Sequence, residues 1–368
     1  VEDIGRFADD LGPAAIVHLW EPATGLRAVV VVDNVACGPA IGGVRMAPDA
    51  GTAECVRLAR AMTLKNAAAG LPHGGGKAVI VADPTRPRPE KERLMRAFGA
   101  AVRDLADYIP GPDMGTDEAC MAWVRDEAGR AVGLPPELGG IPLDRIGAAG
   151  FGLAVAAEAA QPFCGLDLAG ARVAVQGFGA VGRHAARFLA DKGAVLVAAA
   201  DRSATVHDPA GLDVAALAAL KAEGGRLADA PAGRIAAPDA IIDVPCDIWI
   251  PAARPDVIHV GNAGRLQARL VAQGANIPVT PEAEAMLHAR GVLCLPDFVA
   301  NAGGVLCAAV EYRGGTEAMA FRTIEERLRT NVTALLEEAA GRGVPPREAA
   351  LRLAEARVRT AMGYRRRF

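Results

Sequence analysis

Residues Arg172–Gly182 read RVAVQGFGAVG, and the rest of the chain is best placed outward from them. A short apolar strand pattern runs straight into G-x-G-x-x-G at Gly177, Gly179 and Gly182. Gly177 permits the tight strand-to-helix turn, Gly179 lets backbone approach a pyrophosphate, and Gly182 lets the helix pack closely on the strand. The helix that Ala180 and Val181 open then points its N-terminal N–H groups at phosphate oxygens. In a chain of 42 glycines this spacing alone says little, and a plain βα turn with no ligand would read the same. The context decides, because a second strand, VLVAAAD, ends in Asp201, where a ribose-binding carboxylate is expected. The expected cofactor-binding set is therefore Gly177, Gly179, Ala180, Val181, Gly182, Asp201 and Arg202. Asp201 would repel a 2′-phosphate whereas the neighbouring Arg202 could pair with one, so the expectation is NAD, with NADP possible.

Around this turn the pattern alternates: helix 151–160, strand 172–176, helix 182–191, strand 195–200, then further strands at 247–250, 269–272 and 292–295. Such alternation predicts a parallel sheet with helices on both faces, a Rossmann-type α/β domain. Upstream, AAIVHLW and LRAVVVVD flank a turn and predict a hairpin or a pair of neighbouring strands over 14–33, followed by a helix over 53–69 and a strand over 78–83. Phe98, Val102, Leu105 and Ile109 recur at helical spacing and predict a second helix. Pro and Gly crowd 134–142, which reads as a linker. The domain expectation is 1–139 for substrate binding and oligomerisation, 140–322 for the dinucleotide, and two C-terminal helices in 323–368 packing back towards the first domain. With 368 residues the chain exceeds what one core usually supports, and a cleft between two domains is the natural site for a ligand.

Composition narrows the class. Half the residues are apolar (51%) and net charge is only −3, so nothing argues for a nucleic-acid partner. The basic cluster Arg365, Arg366 and Arg367 reads as a solvated tail. Seven cysteines without a C-x-x-C pair form neither a disulfide framework nor a zinc pattern, so no metal is expected. VEDIGRFADD lacks the features of a secretory signal and no apolar run reaches membrane-spanning length, so the expected setting is the cytoplasm, away from membranes.

Two lysines stand in apolar or glycine-rich surroundings where solubility does not require them: Lys65 in AMTLKNAA and Lys77 in LPHGGGKAVI. The glycine run is not a Walker motif, since Leu71 and Ala78 occupy positions that would need Gly and Ser or Thr. It offers close backbone approach and a desolvated ammonium whose pKa should fall, fit for acid–base work near neutral pH. Asp113, in IPGPDMGT, is open to two readings, a turn residue or a member of the same constellation.

Taken together, GPAIGGVRM (38–46), MTLKNA (62–67), LPHGGGK (71–77), GPDMGT (111–116), VQGFGAVG (175–182), AQGANIPVT (272–280) and PDFVANAGGV (296–305) resemble the glutamate/leucine/phenylalanine/valine dehydrogenase family over nearly the whole chain. The resemblance implies two domains and reversible oxidative deamination of an amino acid to a 2-oxo acid and ammonia. It implies that Lys65 binds the substrate α-carboxylate, that Lys77 activates the water attacking the imine, and that Asp113 relays protons to and from the amino group. Gly42 and Gly43 would lie against the substrate main chain, while Asn276 and Asn301 would face nicotinamide and substrate. A homo-oligomer, dimer or larger, is also implied. One departure is Ala149, where glutamate dehydrogenases commonly carry Thr.

Substrate class turns on two positions. Where glutamate dehydrogenases carry a lysine for the γ-carboxylate this chain has Ile41, and where a serine assists it this chain has Ala308. With Gly111 and Val305 as small or apolar walls, the expectation is a hydrophobic L-amino acid of the leucine, valine or phenylalanine class, because an unpaired buried carboxylate costs several kcal/mol. Two alternatives stay open: a glutamate dehydrogenase in which another cation such as Arg45 reaches the γ-carboxylate, and a non-catalytic cofactor sensor.

Overall fold

The computed structural model describes residues 4–364; the expected basic tail at 365–367 lies outside the described residues. The described chain divides into two compact units, one of residues 4–142, 305–320 and 351–364, the other of 143–304 and 321–350. This grouping differs from the linear partition expected from sequence. Residues 305–320 fall in the first unit and 321–350 in the second, because proximity in space, not chain order, groups them.

The first unit runs β1 (Ala15–Glu21), β2 (Leu26–Asn34), β3 (Ala40–Ala47), α1 (Thr52–Ala68), β4 (Gly74–Val81), α2 (Arg88–Ala101), β5 (Tyr108–Pro112) and α3 (Glu118–Ala128). Its sheet has the order β1-β2-β4-β3-β5, with β3 parallel to both β4 and β5. The β1–β2 hairpin closes where the Glu21 carboxylate accepts the N–H groups of Ala23 and Thr24, a local side-chain turn. Alternation along the strands sends Val30, Val32, Val44, Met46, Ala78 and Ile80 to one face, where Leu94, Met95 and Phe98 of α2 and Met121 and Val124 of α3 cover them. Val29, Val31 and Val79 go to the other, under Cys55, Val56 and Ala59 of α1. The expected helix through Ile109 ends instead at Ala101, and Ile109 lies on β5 opposite Ile41. Pro110 and Pro112 cannot sit in a helix interior, yet are tolerated on a strand that pairs on one side only.

The second unit begins with α4 (Leu143–Ile146), α5 (Ala148–Cys164), β6 (Arg172–Gln176), α6 (Ala180–Ala190), β7 (Val195–Ala200), β8 (Thr205–His207) and α7 (Val214–Ala222). It continues through β9 (Arg234–Ala236), β10 (Ile248–Pro251), β11 (Leu270–Ala272), α8 (Pro281–Ala289), β12 (Leu293–Leu295) and α9 (Asp297–Ala300). Its sheet has the order β12-β11-β10-β6-β7-β8-β9. The expected parallel core is present from β12 to β7, and β8 and β9 add an antiparallel edge that the alternation did not reveal. Strand order reverses at β6, so the glycine turn stands at the switch point where open α/β sheets leave a crevice.

Three helices complete the chain: α10 (Gly303–Tyr312), α11 (Glu317–Arg342) and α12 (Pro346–Tyr364). In the first unit, Ala354 and Val358 of α12 are buried with Leu11 and with Ala67 of α1. Among the described residues no helix is long and apolar enough to cross a membrane.

Candidate active site

Direct neighbours on parallel strands point to the same side of a sheet. The register Ile41↔Gly75 and Ile41↔Ile109, continued by Gly43↔Gly111, therefore puts Ile41, Gly43, Lys77, Ile109 and Gly111 on one face, the face that carries α1. The glycines are there for space. A Cβ on Gly75 would fall 2.0 Å from the Thr63 nitrogen of α1, and one on Gly42 would fall 1.7 Å from the Gly76 carbonyl oxygen. The GGG run thus belongs to β4, which begins four residues before the expected strand, and it lets helix and neighbouring strand close on Lys77. A Cβ on Gly43 would meet Asp113 at 2.7 Å, so glycine there makes room for that carboxylate.

Lys77 and Asp113 form an ion pair, with side chains only 9% and 17% exposed. Asp113 follows the end of β5 in a turn fixed by Thr116, whose hydroxyl accepts the Asp113 N–H and donates to the Val44 carbonyl. Asp113 is thus a turn residue that also pairs with Lys77. Burial pushes its carboxyl up, but the Lys77 charge and hydrogen bond, the Met114 N–H and Arg45 outweigh this and hold it below the usual carboxylate range. Arg45 on β3 pairs with Glu54 of α1 and stands 3.6 Å from Asp113, so its charge is already matched.

Beside the ion pair the same face turns apolar: Ile41, Ile109, Val132 and Ala308 form one buried cluster. A Cβ on Gly111 would lie 3.0 Å from Val132. Val305, also on α10, is partly buried. Lys65 is partly buried near the end of α1, which packs on β4. Two residues were missed in sequence. Buried Asn66 donates to the Gly74 and Ile41 carbonyls, at 2.7 and 3.4 Å, and so pins α1 across β4 and β3. Buried Glu311 accepts the N–H groups of Leu134 and Ile141 at 3.1 and 2.9 Å, tying α10 to the segment that carries Val132. The MTLKNA motif that contains Asn66 could have signalled it; nothing local signals Glu311, because its partners are backbone groups about 170 residues away in sequence.

In the second unit the glycine turn has the geometry a dinucleotide needs. Gly177 has φ +92°, and a Cβ there would lie 2.6 Å from the Ala253 nitrogen after β10. A Cβ on Gly182 would lie 2.2 Å from the Gly177 carbonyl oxygen, whereas one on Gly179 would meet nothing within 4 Å. The turn is closed where strand and helix need it and open at Gly179, so these residues fit a pyrophosphate. Ala180 and Val181 open α6, whose first-turn N–H groups have no intrahelical acceptor.

Asp201 sits at the end of β7 as expected, but its carboxylate is committed within the fold. One oxygen accepts from the Ser203 N–H and hydroxyl, the other from Lys221 Nζ at 2.7 Å and the Leu227 N–H at 3.1 Å. In this arrangement the acceptor positions of the carboxylate are met by groups of the protein itself. Arg202 is exposed.

Exposed Asn276 and buried Asn301 are brought together by a 3.2 Å amide hydrogen bond. Their loops are held by Arg347 of α12, which bonds Glu284 of α8, Gln273 after β11 and Asp297 of α9. Asp297 in turn accepts the Ile277 N–H. Arg347 was not singled out in sequence because it lies about fifty to seventy-five residues beyond the groups it binds.

The comparisons with known proteins agree with this geometry. The family described as Glutamate/Leucine/Phenylalanine/Valine dehydrogenase matches residues 139–366, and the Glu/Leu/Phe/Val dehydrogenase dimerisation domain matches residues 16–130. A glutamate dehydrogenase of Aeropyrum pernix is 39% identical over 323 residues, covering 82% of this chain and 77% of that protein. An NADP(+)-dependent glutamate dehydrogenase of Pyrobaculum calidifontis is 41% identical over 301 residues, covering 77% and 71%. Among solved structures, the hetero-hexameric glutamate dehydrogenase of Thermus thermophilus in its Leu-bound form superposes with TM-score 0.85 at 33% identity, covering 97% of this chain and 91% of that one. The L-tryptophan dehydrogenase of Nostoc punctiforme superposes with TM-score 0.74 at 28% identity, covering 96% and 98%. The chain therefore belongs to the glutamate/leucine/phenylalanine/valine dehydrogenase family and is an NAD(P)-dependent oxidoreductase acting on the CH–NH2 group of an amino acid.

Proposed function

We propose that the chain catalyses the reversible oxidative deamination of an apolar L-amino acid of the leucine, valine or phenylalanine class, giving the 2-oxo acid and ammonia. The observation that carries this reading is the buried cluster of Ile41, Ile109, Val132 and Ala308 on the sheet face that also bears Lys77. A γ-carboxylate placed among these four side chains would find no cation, and leaving a carboxylate unpaired in such surroundings costs several kcal/mol. The charge on Arg45, a second cation on this face, is already shared between Glu54 and Asp113.

In this reading Lys65 holds the α-carboxylate, and the backbone of Gly42 and Gly43 lies against the substrate main chain. Asp113, kept ionised by Lys77 and Arg45, takes a proton from the ammonium so that the amine is neutral when the Cα–H bond breaks. The bound nicotinamide supplies the hydride acceptor. Lys77, its own proton given up to solvent, then draws a proton from the water that adds to the resulting iminium, and Asp113 returns its proton to the amine that leaves as ammonia. Asn276 and Asn301 orient the nicotinamide side of the reaction, with Arg347 holding their loops. Ion-paired Lys77 and Asp113 would have no use in a non-catalytic sensor. The dimerisation-domain match to residues 16–130 supports assembly with further copies of the chain.

Glutamate is the competing substrate, favoured by the names of the relatives reported above. Specificity constants for leucine, valine, phenylalanine, tryptophan and glutamate, read from reduced-cofactor absorbance, separate the two. The best apolar substrate should exceed glutamate by roughly a thousandfold, the scale set by an unpaired carboxylate. A glutamate value equal to or above the best apolar one would overturn the assignment.

A further inference from the structure

In the second unit the facing sides of α6 and α7 enclose a space that the dinucleotide chemistry does not use. Along α6 (AVGRHAARFLA) Arg183, Arg187 and Ala190 recur at helical spacing and share one face, with His184 beside them. Along α7 (VAALAALKA) Val214, Ala215, Ala218 and Ala222 do the same, and Leu217 alone of that helix is buried. These side chains, with Asp191 at the end of α6, line a groove of about 410 Å³. That volume lies in the usual range of small-molecule sites.

The two walls differ in chemistry. α7 gives the groove apolar side chains only, whereas α6 gives it two guanidiniums and an imidazole. Among the described residues neither Arg183 nor Arg187 has an ion-pair partner, and Arg187 lies over the Phe188 ring, 4.3 Å from its centroid. Arg183 Nε and His184 Nε2 are buried with no hydrogen-bond partner. Burial, and then the charges of Arg187 and Arg183, hold the His184 imidazole below its usual range, so both charges act on that ring. Asp191, the only carboxylate in the lining, is exposed and pairs with neither arginine. Unmatched positive charge and an orphaned buried N–H both call for an anion, and the methyl groups of α7 call for an apolar body attached to it.

We propose that the groove between α6 and α7 is a binding site, separate from the dinucleotide turn, for a medium-chain aliphatic carboxylate. Its head pairs with the guanidiniums of Arg183 and Arg187, and its tail lies along Ala215, Ala218 and Ala222. A carboxylate matches the planar fork of a guanidinium, and an unbranched chain follows a row of small side chains that leave the groove open where larger ones would fill it.

Isothermal titration calorimetry of the whole protein with octanoate, octanol and inorganic phosphate separates head, tail and their combination. Octanoate should bind with a Kd below about 1 mM, and octanol and phosphate each at least about tenfold more weakly. Arg187→Gln, at an exposed position, should raise the octanoate Kd about tenfold, as expected for losing one charge-assisted contact. Ala218→Phe, which fills the groove, should raise it at least as much. NADH titrations of both variants, read by nicotinamide fluorescence, should stay within about twofold of the parent, showing that the unit is folded; if Ala218→Phe does not fold, Arg187→Gln decides alone. No octanoate binding by the parent, octanol or phosphate binding as tightly as octanoate, or an octanoate Kd unchanged in either folded variant would each overturn the proposal. The last result would place octanoate elsewhere, such as the amino-acid site of the first unit, which neither change touches.

Discussion

Asp113→Asn is the most informative single change in the first unit. The amide keeps an acceptor oxygen for the Met114 N–H, 2.6 Å away, so the turn built with Thr116 should persist. What disappears is the negative charge between Lys77, which it touches, and Arg45, 3.6 Å away. Breaking a buried pair costs about 3–5 kcal/mol. The low end applies here, because the two side chains keep 9% and 17% exposure and Arg45 retains Glu54. The carboxyl is held below its usual range, so its stabilisation is present above the unfolded value near pH ~4 and is lost as pH falls through the lower folded value. The variant should therefore be less stable than the parent at pH 7, and the gap should close in acid. Turnover should fall by about a hundredfold to ten-thousandfold, equivalent to roughly 2.7–5.5 kcal/mol of barrier, the range for a lost acid–base group. NADH and NADPH titrations should be unchanged, since they report on the second unit. The same assays on Lys77→Met and on the double variant complete a cycle. If the pair works as one proton-handling unit, the double variant should lie within about threefold of the worse single. Turnover within tenfold of the parent for Asp113→Asn, or losses that multiply in the double variant, would refute the reasoning.

Gly177→Ala places a methyl 2.6 Å from the Ala253 nitrogen at φ +92°, so fluorescence titration should show at least about tenfold weaker binding of both dinucleotides; unchanged Kd values would show that the turn does not hold them. Glu311→Ala leaves the N–H groups of Leu134 and Ile141 without their acceptor and should cost about 2–6 kcal/mol, at about 1–3 kcal/mol for each orphaned donor. Burial raises the Glu311 carboxyl despite those donors, so the stability it gives is full below the unfolded value near pH ~4.3 and declines as pH rises through the folded value. The gap between parent and variant in urea unfolding should accordingly narrow with rising pH, and a gap that widens would contradict this account.

The sequence by itself determined the features that are local. Glycines at fixed offsets from an apolar strand specify the turn at Gly177, Gly179 and Gly182, because the backbone geometry needed there excludes a Cβ whatever the surroundings. The strands at 172–176 and 195–200 were legible for the same reason, since their pattern repeats within a few residues. The pairing of Lys77 with Asp113 was suggested only by the family's motifs, and the β3–β5 register that puts them on one face joins residues nearly seventy positions apart. Ile109 was misread as helical because Phe98, Val102 and Leu105 sit at helical spacing with it, although Pro110 and Pro112 exclude a helix interior; pairing with Ile41 makes it a strand residue. Asp201 shows the limit most clearly. Its position at the strand end is a local fact, but whether its oxygens face a ligand or the protein depends on Lys221 and Leu227, twenty and twenty-six residues on, which folding brings to it. Glu311 and Arg347 belong to the same class, since each is defined by what it bonds and those partners lie far along the chain. A residue's conformation is set by steric limits within a few bonds, whereas its hydrogen-bond partners are chosen only when distant segments compete to satisfy buried polar groups.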